Sequence, residues 1–297
     1  MVTGTVRRLA RDMNTDHRDN DITLVIGGTG KTGRRVAERL AAAGRPVRVG
    51  SRSGRPAFDW DDETTWFPAL RGVRAAYLTY APDLGLPGAA ERVRDFTEAA
   101  YSRGVRRLVL LSGRGQHGHA PAERAVQESG AQWTIVRSAW FAQNFSEGFL
   151  AGMVADGMLA LPAGEAAEPF VDAGDLADVA AAALTGDRHH GQIYEVTGPR
   201  LLRFANAAEE LSRATGRPVR YLPVSDRDFA VGMTGAGVPG ELVTVLGEVF
   251  AELRDGRNAS TADDVRQVLG RPPRHFAEFA RDAAAAGAWS VPTAARG

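Results

Sequence analysis

The sequence predicts an α/β protein: a doubly wound parallel sheet with a smaller, mostly helical C-terminal lobe. Three observations predict it. Short apolar strands alternate with helices of about 10–15 residues through the first half of the chain, the rhythm of βαβ units. A glycine-rich turn stands between the first strand and the first helix. After Trp140 the alternation breaks into aromatic, methionine-bearing and helical stretches. The 297 residues exceed one ordinary core, which fits two lobes.

Residues 22–26, ITLVI, form a β-branched apolar run ended by glycine and read as a buried strand. Residues 32–43 read as a helix, with Val36, Leu40 and Ala43 on one face and Gly44 as the stop. Strands follow at 46–49 and 75–79, the second closed by Ala81-Pro82-Asp83. A helix at 91–102 stops at Gly104, and a strand at 107–111 ends in Ser112-Gly113. A helix at 121–129 stops at Gly130, and a strand covers 133–136. Beyond Trp140, helices are expected at 175–184, 204–215, 239–255, 261–269 and 275–285, with one strand at 192–196. Asp172 and Asp175 read as caps of the helix that follows them. The domain reading is a disordered leader at 1–20 and a nucleotide-binding domain at 21–148, to which 171–197 return. A substrate lobe takes 149–170 and 198–289, and a tail takes 290–297.

Basic and acidic residues balance at 36 each, which argues against a general nucleic-acid binder or a polybasic membrane binder. The absence of cysteine excludes disulfides, thiolate catalysis and Cys-ligated zinc. No apolar run reaches the ~18 residues that span a bilayer. The first twenty residues are charged and lack the apolar centre of a secretory signal. They read as a leader or as the product of a start codon placed too early, and the protein as cytoplasmic. All but one of the basic residues are arginine; Lys31 is the sole lysine.

The turn LVIGGTGKTG at 24–33 suggests two phosphate sites. Gly30-Lys31-Thr32 imitates the end of an ATPase loop, but such a loop needs a glycine five residues before the Gly-Lys pair, where Val25 stands inside the strand. The dinucleotide pattern fits instead. Gly27 allows the tight turn, Gly30 lets the backbone approach a pyrophosphate, and Gly33 lets the helix pack close. The helix N-terminus then offers N–H groups and positive potential to the phosphates, with Lys31 and Thr32 bordering the site. After the second strand, VRVGSRSGR holds no carboxylate for a ribose hydroxyl. Arg52, flanked by Ser51 and Ser53, stands there, and a guanidinium grips a 2′-phosphate bidentately. The cofactor expected is therefore NADP(H).

GGTGKTGRRVAERL, GSRS, YLTYAPD, LVLLSGRG, ESGAQWTIVRSAWFAQNF and PFVDAGDLADVA together resemble the NmrA-like branch of the atypical short-chain dehydrogenase/reductases. The resemblance runs from Asp21 to Ala288; the last two segments are its more specific part. It implies a Rossmann domain and a C-terminal lobe with the substrate cleft between them. It places Gly27, Thr29, Gly30, Lys31, Thr32 and Gly33 at the pyrophosphate, and Arg52 and Ser53 at the 2′-phosphate. Tyr80, Ala81 and Pro82 would lie along the adenosine-to-ribose path. Ser112 and Gly113 would face the nicotinamide, and Ala139, Trp140 and Phe141 would pack near its end.

None of the five tyrosines has a lysine four residues on, so the Tyr/Lys dyad usual in these enzymes is absent. In ether-reductase relatives a lysine precedes the helix whose Glu-x-Gly end matches Glu128-Ser129-Gly130. Its position here holds His119. That histidine is a candidate proton donor, and the competing reading makes HGH at 117–119 a surface loop, with His117 the weaker candidate. A metal site at this pair lacks a carboxylate cluster. Ser112 is the second catalytic candidate, against a plain strand-end residue. Trp140, Phe141, Asn144, Phe145 and Phe170 are candidates for the substrate pocket, with Phe149, Met153 and Met158 nearby; ordinary core is the alternative.

The expected activity is hydride transfer from NADPH to a quinone or polycyclic aromatic ketone. The alternative is a non-enzymatic NADP(H) sensor that acts through a protein partner. An isomerase that uses bound NADP transiently is a weaker third reading. A homo-oligomer is compatible with all three; direct nucleic-acid or membrane binding is not expected.

Overall fold

A computed structural model describes residues 21–290. The expected leader at 1–20 and the tail beyond 290 lie outside the described residues. In chain order the elements begin with β1 (Ile22–Ile26), α1 (Gly33–Ala42), β2 (Val47–Gly50), α2 (Trp66–Leu70) and β3 (Val73–Leu78). They continue with α3 (Ala89–Ser102), β4 (Arg107–Gly113), α4 (Ala120–Gln127) and β5 (Gln132–Ser138). Next come α5 (Asn144–Glu147), α6 (Phe149–Ala155), β6 (Met158–Leu161), β7 (Ala167–Glu168), α7 (Ala173–Thr185) and β8 (Gln192–Val196). The chain closes with β9 (Leu202–Arg203), α8 (Phe204–Thr215), β10 (Arg220–Pro223), α9 (Asp226–Gly235), α10 (Gly240–Arg254), α11 (Asp264–Leu269) and α12 (Phe276–Ala285).

By Cα proximity the described chain forms two compact units, residues 21–137 with 176–194 and residues 138–175 with 195–290. The first carries a six-stranded sheet in the order β2-β1-β3-β4-β5-β8. β1 pairs in parallel with β2 and β3, and β3 in parallel with β4. The order reverses between β1 and β3, and at such a switch point the carboxyl ends of the strands leave a crevice for a ligand. The strands are near-continuous apolar runs because both faces of such a sheet are covered. Leu24, Ile26, Leu78, Leu108 and Leu110 join Phe96 of α3 and Val126 of α4 in one buried cluster. The sequence reading ends its first domain at 148; the compact unit ends at Arg137, inside β5.

The second unit holds a parallel pair, β6 with β10, and a short antiparallel pair, β7 with β9. Helices and an aromatic core make up the rest. The rings of Phe145 and Phe170 lie 5.4 Å apart, and Phe170 meets Phe204 at 5.1 Å. Phe145 and Phe170 are 0% and 2% exposed. Both rings are enclosed by other core side chains, the ordinary core that stood as the alternative to a substrate pocket. A correction concerns Asp175. Asp172 does cap, its Oδ1 accepting the Gly174 N–H at 2.6 Å. Asp175 is fully buried and instead accepts the Arg274 N–H at 2.6 Å while pairing with Arg271 at 2.8 Å. Burial pushes its carboxyl above the ordinary value despite these arginines. No helix among the described residues is long and apolar enough to cross a membrane.

Candidate nucleotide site and its buried polar network

The site in the first unit starts at the end of β1. Gly27 has φ +67°, a conformation that side-chain-bearing residues rarely adopt, and a Cβ there would strike Thr79 Oγ1. That hydroxyl donates to the Ile26 carbonyl at 3.1 Å and ties the ends of β1 and β3 together. The Gly27 N–H donates to the Gly50 carbonyl at 2.9 Å, which stitches the turn to the end of β2. The Gly30 N–H returns to the Gly27 carbonyl at 2.8 Å. A Cβ on Gly33 would strike that same carbonyl and come within 2.9 Å of the Gly28 Cα, so α1 can start this close to the turn only from a glycine.

The mouth of α1 suits an anion. Its N-cap residue, Thr32, makes no side-chain cap, and its first turn carries no acidic residue. Thr29 and Gly30 are exposed and Lys31 is half-buried. N–H groups at an uncapped helix start and the helix dipole together favour a phosphate. Arg52 and Ser53 are exposed just beyond β2, the strand to which the turn is stitched. A cradle that admits no Cβ, an open helix start and an arginine in place of the acidic ribose ligand fit the diphosphate and 2′-phosphate of NADP(H). On the other side of β1, Tyr80 is half-buried and stacks at a tilt on Trp60 at 5.2 Å, while Ala81 and Pro82 are exposed.

The two catalytic candidates meet in a single buried chain of polar groups. Ser112 lies within β4 and is 3% exposed. Its hydroxyl donates to Glu123 Oε1 at 2.6 Å. Glu123, in α4, takes two hydrogen bonds from Arg137, at 2.9 and 2.6 Å. His119 is also buried, and its Nδ1 accepts the Gly113 N–H at 2.9 Å, with the Ser112 hydroxyl at 3.4 Å. Because Nδ1 accepts, the ring proton sits on Nε2 and points at Asp83 Oδ1, 3.0 Å away. Asp83 Oδ1 also takes the Gly85 N–H at 2.7 Å. Burial pushes the Glu123 carboxyl up, but hydrogen bonds from Arg137 and Ser112 and the nearby positive charge hold it below its ordinary value. Burial likewise pushes Asp83 up, and the His119 and Gly85 contacts hold it below.

This geometry revises both candidates. The HGH segment is not a free surface loop at His119, although His117 is exposed. At His119 one nitrogen receives a backbone N–H and the other faces the Asp83 carboxylate. The Ser112 proton is likewise turned inward. Gly113 is held close, since a Cβ there would strike Gln116 Oε1 and approach His119 Cε1 at 3.0 Å. Sequence reasoning missed Asp83, Glu123 and Arg137. The spacing of Glu123 four residues after His119 was visible, but the partners at 83 and 137 come from the loop after β3 and from β5.

The remaining candidates belong to the second unit. Ala139 is buried and its N–H donates to the Val196 carbonyl at 3.0 Å. The Trp140 N–H donates to Glu168 Oε1 at 3.0 Å, and its ring meets Phe204 and Phe250 at 5.8 and 5.2 Å. Its buried indole Nε1 has no hydrogen-bond partner among the described residues. Phe141 and Asn144 are half-buried. Met158 is 49% exposed and lines no core.

The fold and the glycine turn define a Rossmann protein of the short-chain dehydrogenase/reductase class. No family model matches the chain. Comparison with known proteins gives an NAD(P)H azoreductase from Xenophilus azovorans, 34% identical over 284 residues and covering 89% of this chain and 98% of that one. The chain belongs to the NmrA-like atypical short-chain dehydrogenase/reductases. Among solved structures, triphenylmethane reductase of Citrobacter sp., complexed with NADP(H), matches with TM-score 0.71 at 22% identity, over 89% of this chain and 99% of that one. The quinone oxidoreductase QOR2 of Escherichia coli, complexed with NADPH, matches with TM-score 0.71 at 23% identity, over 88% and 99%. At that identity these two speak for the fold alone.

Proposed function

We propose that the protein is an NADPH-dependent reductase that delivers hydride to a quinone or an extended aromatic ketone in the cytoplasm. The observation that carries this reading is the uncapped glycine cradle at Gly27–Gly33, stitched to the end of β2, which Arg52 follows. Membership of a family that includes an NAD(P)H azoreductase supports it. A bound NADPH supplies the hydride, and the protein supplies binding and orientation. In this reading Gly27, Gly30, Thr32 and Gly33 hold the diphosphate, and Arg52 and Ser53 hold the 2′-phosphate. Ser112, His119 and Glu123 act as positioning residues that fix the ends of β3 and β4, and the proton that completes the reduction comes from water. An electron-poor acceptor suits a site without the Tyr/Lys dyad, because the reduced oxygen needs little acid assistance. Trp140 and Phe141 are the aromatic residues we assign to the substrate.

The test is NADPH oxidation with a panel of quinones, azo dyes, triphenylmethane dyes and polycyclic ketones. We expect turnover with at least one class, and a preference for NADPH over NADH of about tenfold or more that Arg52→Gln removes. A protein that binds NADPH yet turns over none of the panel would sink the reductase reading.

One observation favours a second reading, a redox sensor without turnover: the protons of Ser112 and His119 are both directed at protein carboxylates. It predicts calorimetric binding of NADP⁺ at least about tenfold tighter than NADPH, or ~1.4 kcal/mol. Equal affinities would remove it.

A further inference from the structure

The amino-terminal edge of the first unit's sheet, opposite the glycine turn, carries a cavity of about 450 Å³ that the reductase reading does not use. Four arginines line it, Arg45, Arg74, Arg106 and Arg107, with Asp21 as the one carboxylate on the lining among the described residues. Three of the arginines are anchored by carbonyl groups. Arg74 Nη1 donates to the Gly104 carbonyl at 3.3 Å, and Arg106 Nη1 to those of Tyr101 and Val105 at 2.9 and 3.1 Å. Arg107 donates to the Leu184 carbonyl at 2.9 Å and pairs with Asp187 at 2.7 Å. Tyr101 and Leu184 lie in the last turns of α3 and α7, where cations are drawn to the negative helix end.

Capping explains why these side chains lie where they do. It does not explain Arg45, whose guanidinium has no hydrogen bond or ion pair among the described residues. Nor does it explain why four like charges converge on one cavity with a single carboxylate among the described residues. A guanidinium has five N–H donors, and the Arg106 anchor uses one nitrogen, which leaves Nε–H and the second amino group for another acceptor. Anchored forks of this kind bind phosphate oxygens in pairs with little further loss of side-chain freedom.

We propose that this cavity is a second anion site, which takes a compact, multiply charged phosphate group of pyrophosphate size through Arg45, Arg74 and Arg106. The multiple charge follows from the balance of the lining: Asp187 already answers Arg107, while Arg45 and Arg106 pair with no carboxylate among the described residues. The source is either the free anion or the diphosphate of a nucleotide.

The test is calorimetric titration of the full chain with sodium pyrophosphate and with ADP, in saturating NADPH so that the glycine turn is occupied. We expect one-site binding that persists with NADPH and weakens about tenfold in both Arg45→Gln and Arg106→Gln. Arg45→Gln removes no internal contact, so its melting temperature and NADPH affinity stay at their original values. Equal binding of the two probes identifies the free anion, and tighter ADP identifies a nucleotide. Loss of pyrophosphate binding once NADPH is present, or titrations unchanged in both variants, would overturn the proposal.

Discussion

Glu123 is the hub of the buried network: its two oxygens accept from Arg137 twice and from Ser112 once. Replacing it with glutamine removes the charge that Arg137 faces. We expect Glu123→Gln to lower stability by about 1–3 kcal/mol, toward the lower end because the Arg137 side chain is one-third exposed, measured by urea unfolding. The same carboxyl sets an acid limb. Its folded-state value is depressed, so its contribution is present above the ordinary carboxylate range and is lost as pH falls through the lowered value. Asp83 acts in the same direction. The melting temperature should therefore fall below about pH 4, and Glu123→Gln should flatten that fall. His119 separates the two roles proposed for it. His119→Ala leaves the Gly113 N–H without its partner, and we expect turnover to drop about tenfold. If His119 only positions β4, the pH profile of kcat keeps its shape. A limb lost from that profile would make it the proton donor instead.

At the scale of elements, the βαβ rhythm was legible because its signals are local. Apolar runs, one-sided helices and terminal glycines mark β1 to β5 and α1, α3 and α4 within a residue or two of where they fall. Four short or weakly patterned helices, α2, α5, α6 and α9, carried no such signal. The pairs β6/β10 and β7/β9 join residues far apart in sequence, so neither strand shows its partner locally. The contact of α1 with the turn gives the element-scale prediction. Gly33→Ala puts a methyl group against the Gly27 carbonyl and moves the helix start away from the phosphate position. We expect NADPH affinity to fall about tenfold or more with little loss of helix content, read by calorimetry and circular dichroism. An unchanged affinity would detach the turn from the cofactor.

For the whole molecule, two compact units allow the cofactor reading a further check. A ligand that binds only folded protein at a hundred times its Kd adds about 2.7 kcal/mol. For a chain of this size that is roughly 5–10 °C in melting temperature. The nucleotide residues Gly27 to Ser53 all lie in the first unit. If the units melt separately in scanning calorimetry, NADPH should raise the first unit's transition and leave the other in place; a shift of the second alone would contradict the assignment.

The sequence by itself determined the order of strands and helices, the dinucleotide form of the turn, the missing Tyr/Lys dyad and the arginine after β2. Each is written in neighbouring residues, through periodicity, glycine spacing or a plain count. Only the tertiary structure decided what the buried polar groups do. It set Asp175 against Arg274, 99 residues away, where sequence suggested a cap. It enclosed Phe145 and Phe170 in a core where sequence left pocket or core open. It turned Ser112 and His119 toward Glu123 and Asp83. The physical reason is common to all three. A buried charge or hydroxyl must find a partner, and a ring must find packing, among whatever the fold brings near. Those neighbours come from other strands and helices, which no local pattern names.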